Sequence, residues 1–355
     1  MRILLAAPTF GVYGGIEVFV TTLAQWLKHS TPHQIRVCFK VVAGNEVGAA
    51  LATHCARLGV DCSFVRRNSR ALLNNIRWAD LVHGNTCSPD IILLSKLAGK
   101  PLVLTVHNWF RGRRGLRNRL WLACNRLADW RTYNSGFVLA TWEPEGPRAG
   151  SELIPTVSQF PQQSVPLEAR RGFFFIARLI ANKGVDTLLR AYQRARIDRT
   201  RWPLTIAGEG PLGEWARAYI AQYAVKGVDI VGFLSEEDKA ARMAAAMWLV
   251  APANTREDMG LTPIEARHVA VPAIVTRDGG LPEAAGPAAL VCTPGDVAEL
   301  ALALERAAAM PPAEYRERAL LARESLRTYL RPMSDYLTIY ERVSGARRVA
   351  PSGAT

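Results

Sequence analysis

The chain has 355 residues, where a single domain usually has roughly 100–200, so two domains are expected. Its composition, 49% hydrophobic and 21% charged, excludes disordered and low-complexity architectures for the bulk of the chain, because a sizeable core can be buried. Forty-four Lys+Arg against 31 Asp+Glu leave a net charge of +13, a surplus that favours a nucleotide, phospholipid or nucleic acid as partner without choosing among them.

No run approaches the ~18 uncharged apolar residues of a membrane span. The opening Met1–Pro8 faintly resembles a signal peptide, but Pro8 cuts its apolar run, and it reads as a buried strand. Cys38, Cys55, Cys62, Cys87, Cys124 and Cys292 form no CxxC pair, so neither zinc nor a redox dithiol is indicated. Reduced thiols in a cytoplasmic enzyme are the expectation.

In chain order, Arg2–Pro8 is predicted as the first strand, followed by a loop with Gly11, Gly14 and Gly15 and a helix over Ile16–Lys28. Strands are predicted at Ile35–Val42, Asp80–His83, Leu102–His107 and Arg131–Asn134. Between Glu143 and Arg171 the pattern loosens and Pro144, Pro147, Pro155, Pro161 and Pro166 punctuate it, which marks a domain boundary. A second series follows. Its strands are Phe173–Ala177, Leu204–Gly208, Asp229–Gly232, Trp248–Ala251 and Ala273–Thr276. Its helices are Gly184–Ala195, Leu212–Tyr223, Glu236–Ala245, Val297–Met310 and Pro312–Tyr329. Strands alternating with helices predict an α/β chain with parallel sheets covered on both faces. The expected division is 1–165, 166–330, a helix over 331–345 returning to the first domain, and a mobile tail over 346–355. Two doubly wound domains facing one another would hold a ligand in the cleft, at the carboxyl ends of their strands.

The sharpest local feature is Glu257-Asp-Met-Gly-Leu-Thr-Pro-Ile-Glu265. Thr262 as N-cap, Pro263 at the first helical position and Glu265 three residues after the cap spell a helix start. On that reading Glu265 closes a capping box. A functional reading stands beside it. Gly260 would let backbone approach a ligand, free amides at the helix start would attract a phosphate, and Glu257 would accept hydrogen bonds from sugar hydroxyls. Arg178 and Lys183 leave the end of strand Phe173–Ala177 five residues apart and can reach one diphosphate from different sides. At ~4 Å and an effective dielectric near 20, each is worth roughly 4 kcal/mol of raw attraction per phosphate charge. The loop Gly208-Glu-Gly-Pro211 supports the same site; solvated loops are the bland alternative.

Taken together, Arg178…Lys183-Gly184, Ala207-Gly-Glu-Gly-Pro211, Val231-Gly-Phe233 and Glu257…Glu265-Ala resemble the retaining glycosyltransferases of family 4, with Gly14-Gly-Ile-Glu17, Gly279-Gly-Leu-Pro-Glu283 and Pro294-Gly-Asp296 extending the match over nearly the whole chain. The resemblance implies the GT-B fold, two Rossmann-like domains across a cleft. It implies hexosyl transfer from a nucleotide-diphosphate sugar to a glycan or polyprenyl-linked acceptor, in bacterial cell-surface polysaccharide synthesis. Arg178 and Lys183 would hold the diphosphate and stabilise the leaving group. Glu257 would bind the transferred sugar and Glu265 the ribose. Gly208 and Gly210 would line the donor site, with the amides of Met259, Gly260 and Leu261 approaching the sugar and phosphates. Gly14 and Gly15 would close over the phosphate from the first domain. His107 matches a family histidine that reaches the donor sugar near the reacting centre. The chain departs from the family in having Asp258 and Met259 where many relatives have Pro and Phe, and Asn108 where they have Asp. No metal cluster is visible, and with Arg and Lys supplying the charge, no metal and no other cofactor is expected.

On the acceptor side, Trp109, Phe110, Leu116, Leu120, Trp121 and Leu122 interleave with Arg111, Arg113, Arg114, Arg117, Arg119 and Arg126. A basic stretch with exposed aromatics resembles a membrane-surface element, which would place the protein peripherally on the inner face of the cytoplasmic membrane. The other reading is a helix packed on the first domain with solvated arginines. Rival functions are a non-catalytic nucleotide-sugar binder, suggested by Asp258, Met259 and Asn108, and a nicotinamide oxidoreductase. The oxidoreductase is disfavoured because Gly11-Val-Tyr-Gly14-Gly15 is not GxGxxG. No reader motif supports a nucleic-acid partner.

Overall fold

The computed structural model describes residues 1–112, 115–155, 160–161 and 163–348, and the chain packs as two units, Met1–Ser158 with Leu330–Thr355 and Gln159–Tyr329. The first unit runs β1 (Arg2–Thr9), α1 (Gly15–Ser30), β2 (Gln34–Val41), α2 (Ala49–Arg57), β3 (Asp61–Val65), α3 (Arg70–Trp78), β4 (Leu81–Asn85), α4 (Pro89–Leu97), β5 (Leu102–Val106), α5 (Leu116–Arg126), β6 (Trp130–Tyr133), α6 (Gly136–Trp142) and β7 (Ser151–Leu153). The second unit runs β8 (Arg171–Ile176), α7 (Val185–Arg194), β9 (Leu204–Ala207), α8 (Leu212–Gln222), β10 (Val228–Gly232), α9 (Glu236–Ala245), β11 (Ala246–Ala251), α10 (Leu261–His268), β12 (Ala273–Thr276), α11 (Leu281–Ala285), β13 (Leu290–Cys292), α12 (Val297–Ala309) and α13 (Pro312–Tyr329). The last helix, α14 (Ser334–Arg348), belongs to the first unit.

Each unit is built on a parallel sheet, ordered β3-β2-β1-β4-β5-β6-β7 in the first and β10-β9-β8-β11-β12-β13 in the second. Central strands such as Ile3–Ala7 and Phe173–Phe175 are buried on both faces, which is why they read as unbroken apolar runs. Helices cover both faces. On one side of the first sheet, Phe19, Val20, Leu23 and Leu27 of α1 pack with Tyr336, Ile339 and Tyr340 of α14; on the other, Leu72, Ile76, Ile91 and Cys124 pack from α3, α4 and α5.

The expected division at 165/166 differs from the observed one because Phe160 and Val165 already pack on the second unit's core, against Phe174 and Val271. The returning helix extends to Arg348, past its expected end at 345, and the rest of the expected mobile tail lies outside the described residues. A buried polar chain pins α14 to the sheet. His83 bonds Tyr340 Oη through Nδ1 at 2.7 Å and Thr105 Oγ1 through Nε2 at 2.6 Å, and Thr105 bonds Thr132 at 2.7 Å. All six cysteines are free thiols.

Candidate functional site

The order of the second sheet reverses between β8 and β11. Connections leaving neighbouring strands at such a point diverge to opposite faces and open a crevice at the carboxyl ends, where parallel sheets take ligands. β8 leads to Arg178 and Lys183, and β11 leads to Glu257.

Backbone and side-chain bonds draw these two loops together. Asn254 donates its N–H to Asn182 O at 2.9 Å and its Nδ2 to Ala181 O at 3.2 Å, while Thr187 Oγ1 donates to Asn254 Oδ1 at 3.1 Å. Gly184 turns the chain at φ 72°, and a Cβ there would stand 1.9 Å from Pro252 O, so only glycine permits the approach. Lys183 Nζ consequently donates to both oxygens of Glu257, at 2.7 and 2.8 Å. This is a charge-assisted pair, and its side chains are 28% and 21% exposed. Gly280, which caps α11 after β12, fixes the Glu257 backbone by donating its N–H to the carbonyl at 2.8 Å. Arg178 stands exposed beyond the end of β8 and forms no ion pair among the described residues.

Glu265 takes a different partner. Its carboxylate, buried on α10, accepts from Lys239 Nζ of α9 at 2.9 Å; Lys239 also pairs with Glu236 at 2.7 Å and lies 5.4 Å above the Phe160 ring. Burial pushes the Glu265 carboxyl above the usual range, with the Lys239 charge opposing it. Burial acts to lower the Lys239 ammonium, but Glu265 and Glu236 outweigh it and the net direction is upward. Nothing in the local sequence singles out Lys239 from the other cations of this basic chain, and sequence reasoning missed it.

The expected capping box does not form. Gly260 caps α10 with φ 104° and no side-chain bond, so the helix begins at Leu261 and Thr262 is already inside it. Glu265 then falls on the buried face between Ile264 and Ala266, away from any cap amide. Packing also accounts for Gly260 itself, since a Cβ would lie 2.8 Å from Leu281 and 3.3 Å from Ala284 on α11. Met259 is buried, yet the N–H groups of Met259, Gly260 and Leu261 donate to no carbonyl among the described residues, which leaves the helix start able to receive an anion. Gly208 and Gly210 serve a loop contact, a Cβ at either standing 1.9 Å from Ala177 O or 2.6 Å from Leu179 O.

In the first unit, Gly14 caps α1, its N–H donating to Glu17 Oε2 at 3.2 Å, while Glu17 Oε1 accepts from Thr9 Oγ1 at 2.6 Å. Gly14 is extended at φ −130° and Gly15 opens the helix exposed, so the loop after β1 presents its backbone. His107 follows β5, buried, with Nε2 bonded to Asn85 Oδ1 at 3.1 Å and the Phe19 ring edge-on at 4.9 Å. Burial lowers its pKa to about 3, so the imidazole is neutral at physiological pH.

The basic segment departs from expectation in one respect. Its aromatics are not exposed. Phe110 is buried against Trp142, and Trp109 and Trp121 are half-buried on the first unit's core, with Arg111 lying over Trp109 and Arg117 over Trp121. Arg113 and Arg114 lie outside the described residues.

Two family models match the chain, "Glycosyl transferases group 1" over residues 158–320 and "Glycosyltransferase Family 4" over residues 13–156. The glycogen synthase of Mycobacterium tuberculosis is 33% identical over 170 residues, 45% of this chain and 41% of that protein, so the match spans less than half of that relative's length. The MMP alpha-(1->4)-mannosyltransferase of Mycolicibacterium hassiacum is 29% identical over 69% of this chain and 65% of its own length. Among solved structures, Anabaena HepE in complex with UDP superposes with a TM-score of 0.77 at 18% identity, over 98% of this chain and 100% of that one.

Proposed function

The chain belongs to the glycosyltransferases of group 1 and family 4, with the GT-B fold, and we propose that it moves a sugar, with retention of configuration, from a nucleotide-diphosphate donor to a glycan or lipid-linked acceptor of a bacterial cell surface. The observation that carries this reading is the Lys183–Glu257 contact at the reversal point of the second sheet. One loop there offers a cation to a diphosphate, and the next offers a carboxylate to sugar hydroxyls.

The donor's diphosphate takes Lys183 from Glu257, is met by Arg178 and by the amides of Met259, Gly260 and Leu261, and frees the Glu257 carboxylate for the sugar. As the glycosidic bond breaks, negative charge grows on the departing diphosphate while the sugar becomes oxocarbenium-like. Cations and amides already in position stabilise that state more than the intact donor, which lowers the barrier. The acceptor hydroxyl attacks from the face the nucleotide leaves, without a protein nucleophile. Glu265, held by Lys239, receives the ribose. Arg178 and Lys183 do the work of charge neutralisation without a metal.

The relatives' names support this reading, since they include a mannosyltransferase and a glycogen synthase, and the HepE structure holds UDP. A panel of UDP- and GDP-sugars screened for thermal stabilisation and hydrolysis, with and without EDTA, tests it. At least one donor is expected to stabilise the protein and be turned over in EDTA, and Lys183→Ala and Glu257→Ala to abolish turnover. Stabilisation without hydrolysis or transfer would instead make the protein a nucleotide-sugar binder, and a divalent-ion requirement would overturn the metal-free mechanism.

A further inference from the structure

On the first unit, α4 and α5 lie side by side and run in the same direction. Cys87 Sγ, just before α4, donates to Trp121 O in the middle of α5 at 3.4 Å, and Lys96 Nζ near the end of α4 bonds Asp129 Oδ1, just beyond α5, at 2.7 Å. One face of α5 enters the core through Cys124 and Asn125. An adjoining stripe carries Leu116, Leu120, Ala123 and Leu127, with Arg119 and Arg126 along its outer edge, all exposed. Intervals of three and four residues place these on a single stripe of the helix. Beside it, α4 exposes Leu93 and Leu97, and both Leu97 and Leu116 are 84% exposed.

A soluble surface rarely groups leucines in this way. The charge around them is mostly positive, the acidic Asp129 being paired with Lys96. α5 contains no Asp or Glu, and Arg117, Arg119 and Arg126 enter no ion pair among the described residues. Arg111, just before the helix, is exposed as well.

The occupant of this face has to accept leucine side chains and neutralise arginines together. A second copy of the chain would bring like charges into contact. A nucleic-acid backbone would meet the arginines but leave the leucines in water. A bilayer bearing anionic headgroups satisfies both, because leucines enter the boundary between headgroups and acyl chains while guanidinium groups remain at the lipid phosphates. We propose that the exposed α4–α5 face of the first unit docks the protein on an anionic lipid surface. No helix among the described residues is long and apolar enough to cross a membrane, so this contact is with the surface. The inference is independent of the transfer reaction.

Co-sedimentation of the full chain with phosphatidylcholine vesicles, with and without about one-third phosphatidylglycerol, tests the proposal. Binding to the anionic vesicles is expected to exceed binding to the neutral ones at least tenfold and to weaken between 50 and 300 mM salt. Two variants divide the contributions. Leu116→Ser with Leu120→Ser, and Arg119→Glu with Arg126→Glu, are each expected to lower partitioning at least tenfold, with circular dichroism and nucleotide-induced thermal stabilisation unchanged. These side chains are exposed, so the variants keep the core intact. Equal binding to both vesicle types, or full binding by either variant, overturns the proposal. So does a dimer that the leucine variant dissociates while vesicle binding is absent, which would assign the face to a second copy.

Discussion

Substituting Lys183→Met and Glu257→Gln, singly and together, separates the two jobs assigned to the pair. Lys183 Nζ sits 2.7 and 2.8 Å from the two Glu257 oxygens, with the side chains 28% and 21% exposed. Hydrogen bonds to charged groups contribute roughly 1.5–3 kcal/mol, and partial exposure lowers that to about 1–2 kcal/mol here. An incoming diphosphate must displace this contact. Glu257→Gln therefore returns about 1–2 kcal/mol to nucleotide binding, or about five- to thirtyfold tighter UDP or GDP by titration calorimetry. Sugar turnover in the same variant falls about a hundredfold, because the carboxylate that orders the hydroxyls is gone. Lys183→Met weakens nucleotide by about 1–2 kcal/mol, the worth of its charge-assisted bond at this exposure. In the double variant the gain from Glu257→Gln disappears, giving a coupling of about 1–2 kcal/mol. Unchanged or weaker nucleotide binding in Glu257→Gln, with effects that simply add in the double variant, would refute the idea that the two side chains occupy the donor's place.

Lys239→Met leaves the Glu265 carboxyl buried without its cation, so that carboxyl shifts further upward and the KM for donor rises about tenfold with kcat less affected; Lys239→Arg restores most of the loss, and donor kinetics indifferent to both changes would remove Lys239 from the site. Stability of the first unit depends on pH through His83 and His107, both lowered to about 3 by burial, His83 with a further push from His107. The folded rings stay neutral while the unfolded chain takes up protons near 6.5, so the stability present above 6.5 is lost as pH falls toward 3, by about 2 kcal/mol per ring at pH 5. The drop in Tm from pH 7 to pH 5 is accordingly smaller in His83→Gln than in the parent, and equal drops would count against the account.

Local patterns of residues were enough to read the α/β class, the two-part organisation and most of the second unit. Runs such as Phe173–Phe175 and Ala273–Thr276 are apolar because both sheet faces are covered, and α9 and α13 have the expected bounds. These are local signals, carried by composition and spacing within a few residues. The strands β3, β7 and β13 were illegible: all three lie at sheet edges and are incompletely buried, so they lack the continuous apolar run of a central strand. Arg178, Lys183, Glu257 and Glu265 were legible as candidates because their types and spacing suit a diphosphate and a sugar. Their partners were not. Lys183 meets Glu257 across 74 positions and Glu265 meets Lys239 across 26, while Gly260, read as room for a ligand, is room for Leu281. Likewise only packing decided which side of α5 is buried, turning Trp121 and Leu122 toward the core and Leu116 and Leu120 out. Ion pairing and burial depend on distance in space, and the tertiary structure alone sets which distant residues come near enough to interact.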